Sequence, residues 1–170
     1  MLFRSISAQK LSNAIVILSQ GIPFLHGGVD FARTKYGNEN SYNAGVELNK
    51  MDYSRKAEFI DLFEYYKALI HLRNNHPAFR MGSAEEISRN LKFLDAPRNI
   101  VAFTIDGRAV GDSWDEILVI FNGNLEPSEI TLPDESWNLV ADKDRVSEDA
   151  FERLSGRVIL APVSTYILHK

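Results

Sequence analysis

The sequence contains no cysteine among its 170 residues. That excludes a disulfide framework, a thiolate zinc site and a cysteine nucleophile. No apolar run is longer than Ala14 to Leu18, far short of the ~20 residues a membrane-spanning helix needs. There is no block of Lys or Arg, and 19 basic residues face 23 acidic ones for a net charge of −4. A mildly acidic chain of this kind is not built as a nucleic-acid binder or a membrane-surface protein. Repeats and low-complexity tracts are absent too. Met1-Leu2-Phe3-Arg4-Ser5 has no basic region, long apolar core or cleavage site. No signal peptide is therefore expected in this segment, and localisation depends on what precedes it. His26, His71, His76 and His169 share no metal-ligand spacing, so no transition-metal site is expected; one or two carboxylates are too few to assign a calcium site, and no cofactor is expected.

What is present is ordinary globular composition, 45% hydrophobic and 25% charged, arranged in two unlike halves. Leu11, Ala14, Ile15 and Leu18 stand at i, i+3, i+4 and i+7, one apolar helical face. Gly21 and Pro23 stop that helix, Gly as a cap and Pro because it cannot continue it. Ile22 to His26 is apolar on both faces, as in a parallel strand covered on both sides. Gly27-Gly28 leads into a polar, Asn-rich loop from Asp30 to about Arg55. Phe59, Leu62, Phe63, Tyr66, Leu69 and Ile70 predict a second amphipathic helix. It ends at His76-Pro77, because the residue before Pro avoids the helical region.

Beyond residue 78 the period changes. Short β-type runs occur at 91–94, 100–105, 116–122, 129–132, 137–141, 157–161 and 163–168. Asp106-Gly107 and Asn122-Gly123 read as turns between them. Such a series predicts a small antiparallel sandwich. The first half poses a problem: a parallel strand needs parallel neighbours joined by crossovers of a dozen or more residues. Residues 1–77 hold one such strand, which must pack on another chain or belong to a larger α/β domain.

Three stretches carry a resemblance. They are Leu18-Ser19-Gln20-Gly21-Ile22-Pro23-Phe24-Leu25-His26-Gly27-Gly28; Phe31-Ala32-Arg33-Thr34-Lys35-Tyr36-Gly37-Asn38-Glu39-Asn40-Ser41-Tyr42-Asn43; and Leu69-Ile70-His71-Leu72-Arg73 with His76-Pro77-Ala78-Phe79-Arg80-Met81. In this order they resemble the C-terminal part of the type I pullulanases, starch-debranching members of the α-amylase superfamily. The resemblance implies an α/β piece at 1–77, the last helix-strand-helix of a (β/α)8 catalytic barrel. An all-β antiparallel sandwich at 78–170 follows it. Residues 22–28 would be the eighth barrel strand, with helices at 8–20 and 57–74. Loop 29–56 would then leave the end of the barrel where such enzymes build their sites.

The family hydrolyses α-1,6 branch bonds of pullulan and starch-type α-glucans with retention, using a carboxylate nucleophile and a carboxylic acid. Those carboxylates lie on earlier barrel strands, so no catalytic residue is assigned here and the chain alone is expected to be inactive. The implied partners are an α-glucan and the rest of the barrel, in the same longer chain or as a complementing fragment. The family's loop pattern matches at Arg33, Asn40, Tyr42, Glu47 and Asn49, which become the candidate substrate-binding residues. Arg33 leads as a donor to glucose hydroxyls, with a structural pairing to Asp30 or Glu39 as its alternative role. Val29-Asp30, Val46 and Tyr53 depart from the usual pattern, which has two acids, an Asp and a Trp there. The alternative function is a non-catalytic carbohydrate-binding or structural module. Trp114 and Trp137 are read as a sugar platform or as core, and Asp134-Glu135 as a solvated turn.

Overall fold

The computed structural model describes residues 2–133 and 136–170, so the Asp134-Glu135 turn lies outside the described residues. Five α-helical segments come first: α1 (Leu2–Leu18), α2 (Val46–Asn49), α3 (Arg55–Glu58), α4 (Ile60–Asn75) and α5 (Ala84–Asn90). Eight strands follow: β1 (Leu91–Phe93), β2 (Ile100–Asp106), β3 (Glu116–Asn122), β4 (Ser128–Thr131), β5 (Trp137–Ala141), β6 (Glu152–Leu154), β7 (Arg157–Leu160) and β8 (Ser164–His169).

The strands make one six-stranded sheet in the order β1-β2-β3-β8-β5-β6 and a two-stranded ribbon β4-β7, all antiparallel. Alternation decides which side chains meet which layer. On β3, Leu118 and Ile120 share a core with Ile130 of β4 and Leu160 of β7, together with Trp137, Leu139 and Leu168. Ile117, Val119 and Phe121 point the other way, into a core with Ala14 and Ile17 of α1 and Leu62, Tyr65, Tyr66 and Leu69 of α4. The sheet is therefore covered by a β ribbon on one face and by helices on the other. The β half is the small antiparallel domain that its periodicity predicted, and its helix-facing core is continuous with α1 and α4. Trp114 and Trp137 are both buried, so neither presents a sugar platform.

Four details differ from expectation. Residues 22–28 form no β ladder with any described residue. Ile22 is 98% exposed and Phe24 89% exposed. With no parallel neighbour among the described residues, an apolar run has nothing to pair with. Helix α1 starts well before residue 8, and its buried face is Ala14, Ile17 and Leu18, with Ile15 turned outward. On α4, Tyr65 and Leu72 take inner positions while Ile70 faces out. Asn122-Gly123 does not close a hairpin, because β3 pairs with β2 and β8 rather than β4.

Helix α5 and strand β6 were not expected. The helix carries a start signal in its sequence: the Ser83 hydroxyl accepts the Glu86 N–H at 3.1 Å, and the Gly82 N–H donates to Glu86 Oε2 at 2.8 Å. This is close to a capping box. Ser83→Ala should cost about 1 kcal/mol, read as a lower midpoint in urea unfolding at an unchanged slope. An unaltered midpoint would show that the cap contributes nothing.

Candidate functional site

The functional candidates sit on residues 19–56, and their positions follow from how that stretch is tied down. Gly21, at φ 90°, ends the turn after α1. The Arg73 guanidinium of α4 reaches across and donates to the carbonyls of Ile17 at 2.7 Å, Ser19 at 2.8 Å and Gly21 at 2.6 Å. The Ile17 carbonyl is one of the orphan acceptors that a helix C-terminus leaves open, and Ser19 and Gly21 belong to the bend that follows the helix. Burial, and then the nearby Arg80 charge, pull the Arg73 pKa downward. Gln20 adds a second tie, donating to the Ala78 carbonyl at 2.8 Å and accepting the Met81 N–H at 3.0 Å. The root of segment 22–27 is thus fixed to α4 and to the turn after it.

The far end of the segment is fixed by a tight turn. Gly28 adopts φ 91°, and a Cβ there would meet the Arg33 side chain at 2.9 Å. Only glycine tolerates both demands. The single 3₁₀ turn Val29–Phe31 follows, and Ala32 closes it at φ 54°. Arg33 then folds back under the loop. Its Nη1 donates to the Gly27 carbonyl at 3.3 Å and its Nη2 to the Asn49 carbonyl at 2.5 Å. Its Nε is buried without a hydrogen-bond partner. The Arg33 partners are backbone carbonyls, not Asp30 or Glu39.

Asn49 is the hub of the loop. Its amide donates to the Ser41 carbonyl at 2.8 Å and the Ala44 carbonyl at 3.0 Å, while its Oδ1 accepts from Lys35 at 2.5 Å. Desolvation, and then the Arg33 charge, lower the Lys35 pKa. Arg55 closes the base by donating to the Ala32 carbonyl at 3.0 Å, and Phe31 packs its ring 5.5 Å from that of Tyr53.

The five candidates therefore divide. Arg33 and Asn49 point inward and hold the loop's shape. Asn40, Tyr42 and Glu47 are exposed. Asn40 spends its backbone N–H on Asn38 Oδ1 at 3.0 Å, and Glu47 pairs with Lys50 at 2.6 Å on the surface. That contact raises the Lys50 pKa, through its hydrogen bond first and its charge second. Tyr36 and Tyr53 join Tyr42 as exposed rings on the same loop. Tyr36 was not singled out from the sequence. Its signal was an aromatic residue beside Gly37 in a polar stretch, held here at φ 52°. His26, expected in a buried strand, is exposed. Among the described residues, no group of three or more His, Asp or Glu side chains could hold a metal ion. The loop thus offers a stiff frame that displays amide, carboxylate and phenol groups, the side chains that recognise sugar hydroxyls and ring faces.

A family model described as "Pullulanase, all-beta domain" matches residues 87–145. The pullulanase of Bacillus subtilis strain 168 is 36% identical over 167 residues, which is 98% of this chain and 23% of that protein. The structure of a pullulanase from Bacillus acidopullulyticus superposes with a TM-score of 0.95 at 43% identity, covering 100% of this chain and 21% of the other. A pullulanase from Anoxybacillus sp. LM18-11 in complex with maltotetraose superposes with a TM-score of 0.90 at 30% identity, covering 100% and 24%. The chain spans roughly a fifth to a quarter of the length of these relatives. In sequence and in fold, it is the counterpart of the C-terminal part of the type I pullulanases.

Proposed function

We propose that this chain is the C-terminal segment of a pullulanase-like enzyme that hydrolyses α-1,6-glucosidic branch bonds in pullulan and starch-type α-glucans. Residues 1–77 supply the last helix-strand-helix of its (β/α)8 barrel, and residues 78–170 supply the sandwich that follows. The observation that carries this reading is segment 22–27. It is anchored to Arg73 at one end and to Arg33 at the other, yet Ile22 and Phe24 stand almost fully in solvent. Two large apolar side chains exposed together on one anchored segment make the kind of apolar surface that another part of a protein covers. Neighbouring barrel strands would cover both faces.

In this role the segment binds glucan and does not break the bond. Retaining hydrolysis needs two carboxyl groups flanking the scissile bond, and the rest of the barrel provides them. Loop 29–56 contributes Asn40, Tyr42 and Glu47 at its surface, with Arg33 and Asn49 fixing their positions. The Anoxybacillus pullulanase seen with maltotetraose supports an α-glucan as the ligand.

The test is a chimera in which this chain replaces the matching fifth of the Bacillus acidopullulyticus pullulanase. The chimera should hydrolyse pullulan, and the purified 170-residue chain should not. Turnover by the isolated chain would overturn the reading. Within an active chimera, Arg33→Ala should lower kcat/KM by about 10- to 100-fold, because losing its ties to the Gly27 and Asn49 carbonyls displaces the loop that presents Asn40, Tyr42 and Glu47. An unchanged kcat/KM would remove Arg33 from the binding loop's frame.

A further inference from the structure

Among the described residues, four that are not glycine hold a positive φ: Ala32 at 54°, Tyr36 at 52°, Asn99 at 61° and Val163 at 46°. Ala32 is buried in the turn it closes. Val163 is partly buried and gives its N–H to the Asn124 carbonyl at 3.0 Å. Asparagine is one of the few residues that visit this region readily. Tyr36 differs from all three. It is 76% exposed, and among the described residues its hydroxyl has no hydrogen-bond partner.

Tyr36 and Gly37, at φ 52° and 84°, are the central pair of a turn closed by the Asn38 N–H on the Lys35 carbonyl at 2.9 Å. A turn with both central residues at positive φ is normally built from Asn-Gly or Asp-Gly, because a short polar side chain bonds locally and lowers the cost. A tyrosine bears the full steric cost, and its exposed ring gains no burial that would offset it. The turn is nonetheless clamped on both sides. Before it, the Tyr36 N–H donates to Thr34 Oγ1 at 3.0 Å, and the Lys35 ammonium donates to Asn49 Oδ1 at 2.5 Å and to the Leu48 carbonyl at 3.4 Å. After it, Asn38 Oδ1 accepts the Asn40 N–H at 3.0 Å. Backbone strain that the surroundings enforce clusters at ligand-binding positions.

With Arg33, Thr34, Glu47, Lys50 and Asp52, Tyr36 lines a cleft of about 20 Å³. That is room for a water and not for a sugar ring, so a ligand there lies across the exposed phenol. Asn40, Glu47 and Lys50 stand exposed on the same loop. A flat apolar ring edged by donors and acceptors matches a pyranose, which has a C–H face and hydroxyls around its rim. An apolar peptide would have to desolvate those charges without pairing them. We propose that Tyr36 is a further substrate-binding residue: its ring stacks on a glucosyl unit of the bound α-glucan, and the strained Tyr36-Gly37 turn holds it out for that contact. This role rests on the reading of loop 29–56 as part of a glucan-binding barrel, and it adds a residue that holds a sugar by its face.

Substitution at Tyr36 separates binding from structure, because the two should move in opposite directions. Tyr36→Asn supplies the favoured turn residue and removes the ring. The isolated Tyr36→Asn chain should melt about 2–4 °C higher than wild type. In the chimera with the Bacillus acidopullulyticus pullulanase, Tyr36→Asn should raise the KM for pullulan about 3- to 10-fold and leave kcat within about twofold, as the loss of one stacked ring does. Tyr36→Phe keeps the ring and should keep the wild-type KM. An unchanged KM for Tyr36→Asn in an active chimera overturns the stacking role and leaves the barrel reading standing. An equal rise in KM for Tyr36→Phe overturns it too, because the hydroxyl and not the ring face would then make the contact. A Tyr36→Asn chain that melts at or below the wild-type temperature would mean that the ring serves the loop itself, and has the same consequence. A chimera that retains Tyr36 and leaves pullulan intact overturns the barrel reading and this role together.

Discussion

Arg73→Ala should destabilise the chain by about 4 kcal/mol, because one buried and two part-buried carbonyls lose a charged donor at once. The guanidinium fork is the shared partner of Ile17, Ser19 and Gly21, and the side chain is buried among α1, α4 and the segment that follows α1. The Ile17 carbonyl, in the buried bond, is left stranded at a cost of about 1–3 kcal/mol, and the Ser19 and Gly21 carbonyls add the smaller loss of a charged donor that water replaces in part. No small side chain at position 73 can restore the three bonds. For a domain of this size the loss corresponds to a fall of about 10 °C in melting temperature. Arg73→Lys should recover less than half of it, because an ammonium on a flexible stem cannot match a planar fork. Calorimetry on the three chains decides the matter. A fall below about 3 °C for Arg73→Ala would mean that the carbonyls find other partners, and that the root of segment 22–27 is not held by this residue.

The contrast between Arg73 and the residues near it shows what a linear sequence conveys. Both long helices were visible in their 3.6-residue period, but the period gives a stripe and not the neighbour that covers it. Ile15 and Ile70 fit their stripes and still face outward, since the sheet meets α1 and α4 through Ile17, Tyr65 and Leu72. The strands of the β half were legible because alternation and turn residues act locally, and β3 was found at its observed bounds. Strand β6 was invisible because three residues carry too little pattern, and its identity comes from pairing with β5. Helix α5 was legible in principle through Ser83 and Glu86, two residues whose roles are local.

The site was harder to read for a physical reason. Arg33, Asn49 and Asn40 can all donate to a sugar hydroxyl on paper, yet Arg33 and Asn49 consume their donors inside the loop. Which polar groups are spent and which remain for a ligand depends on chain reversals at Gly28, Ala32 and Tyr36, and those are set by the surrounding fold.

Replacing Ile22 and Phe24 together by aspartate should have opposite consequences in two settings, which makes it the sharpest test of the barrel-strand reading. In the isolated chain both side chains already stand in water. The double variant should then change stability by no more than about 0.5 kcal/mol, as surface substitutions do. It should also aggregate less, since an unpaired apolar edge attracts other chains. In the chimera with the Bacillus acidopullulyticus pullulanase, the same side chains would lie between parallel strands and their covering helices. Burying an Ile and a Phe contributes about 1.5–3 kcal/mol each, and forcing two carboxylates into that place adds the cost of burying unpaired charge. The chimera should lose more than about 4 kcal/mol and with it the folded barrel and pullulan hydrolysis. Light scattering of the isolated chain, denaturant unfolding of both proteins and pullulan turnover of the chimera provide the readings. A chimera that keeps its stability and activity with aspartate at both positions would mean that segment 22–28 is not a barrel strand. Equal loss in both proteins would place these side chains in a core that the isolated chain builds by itself.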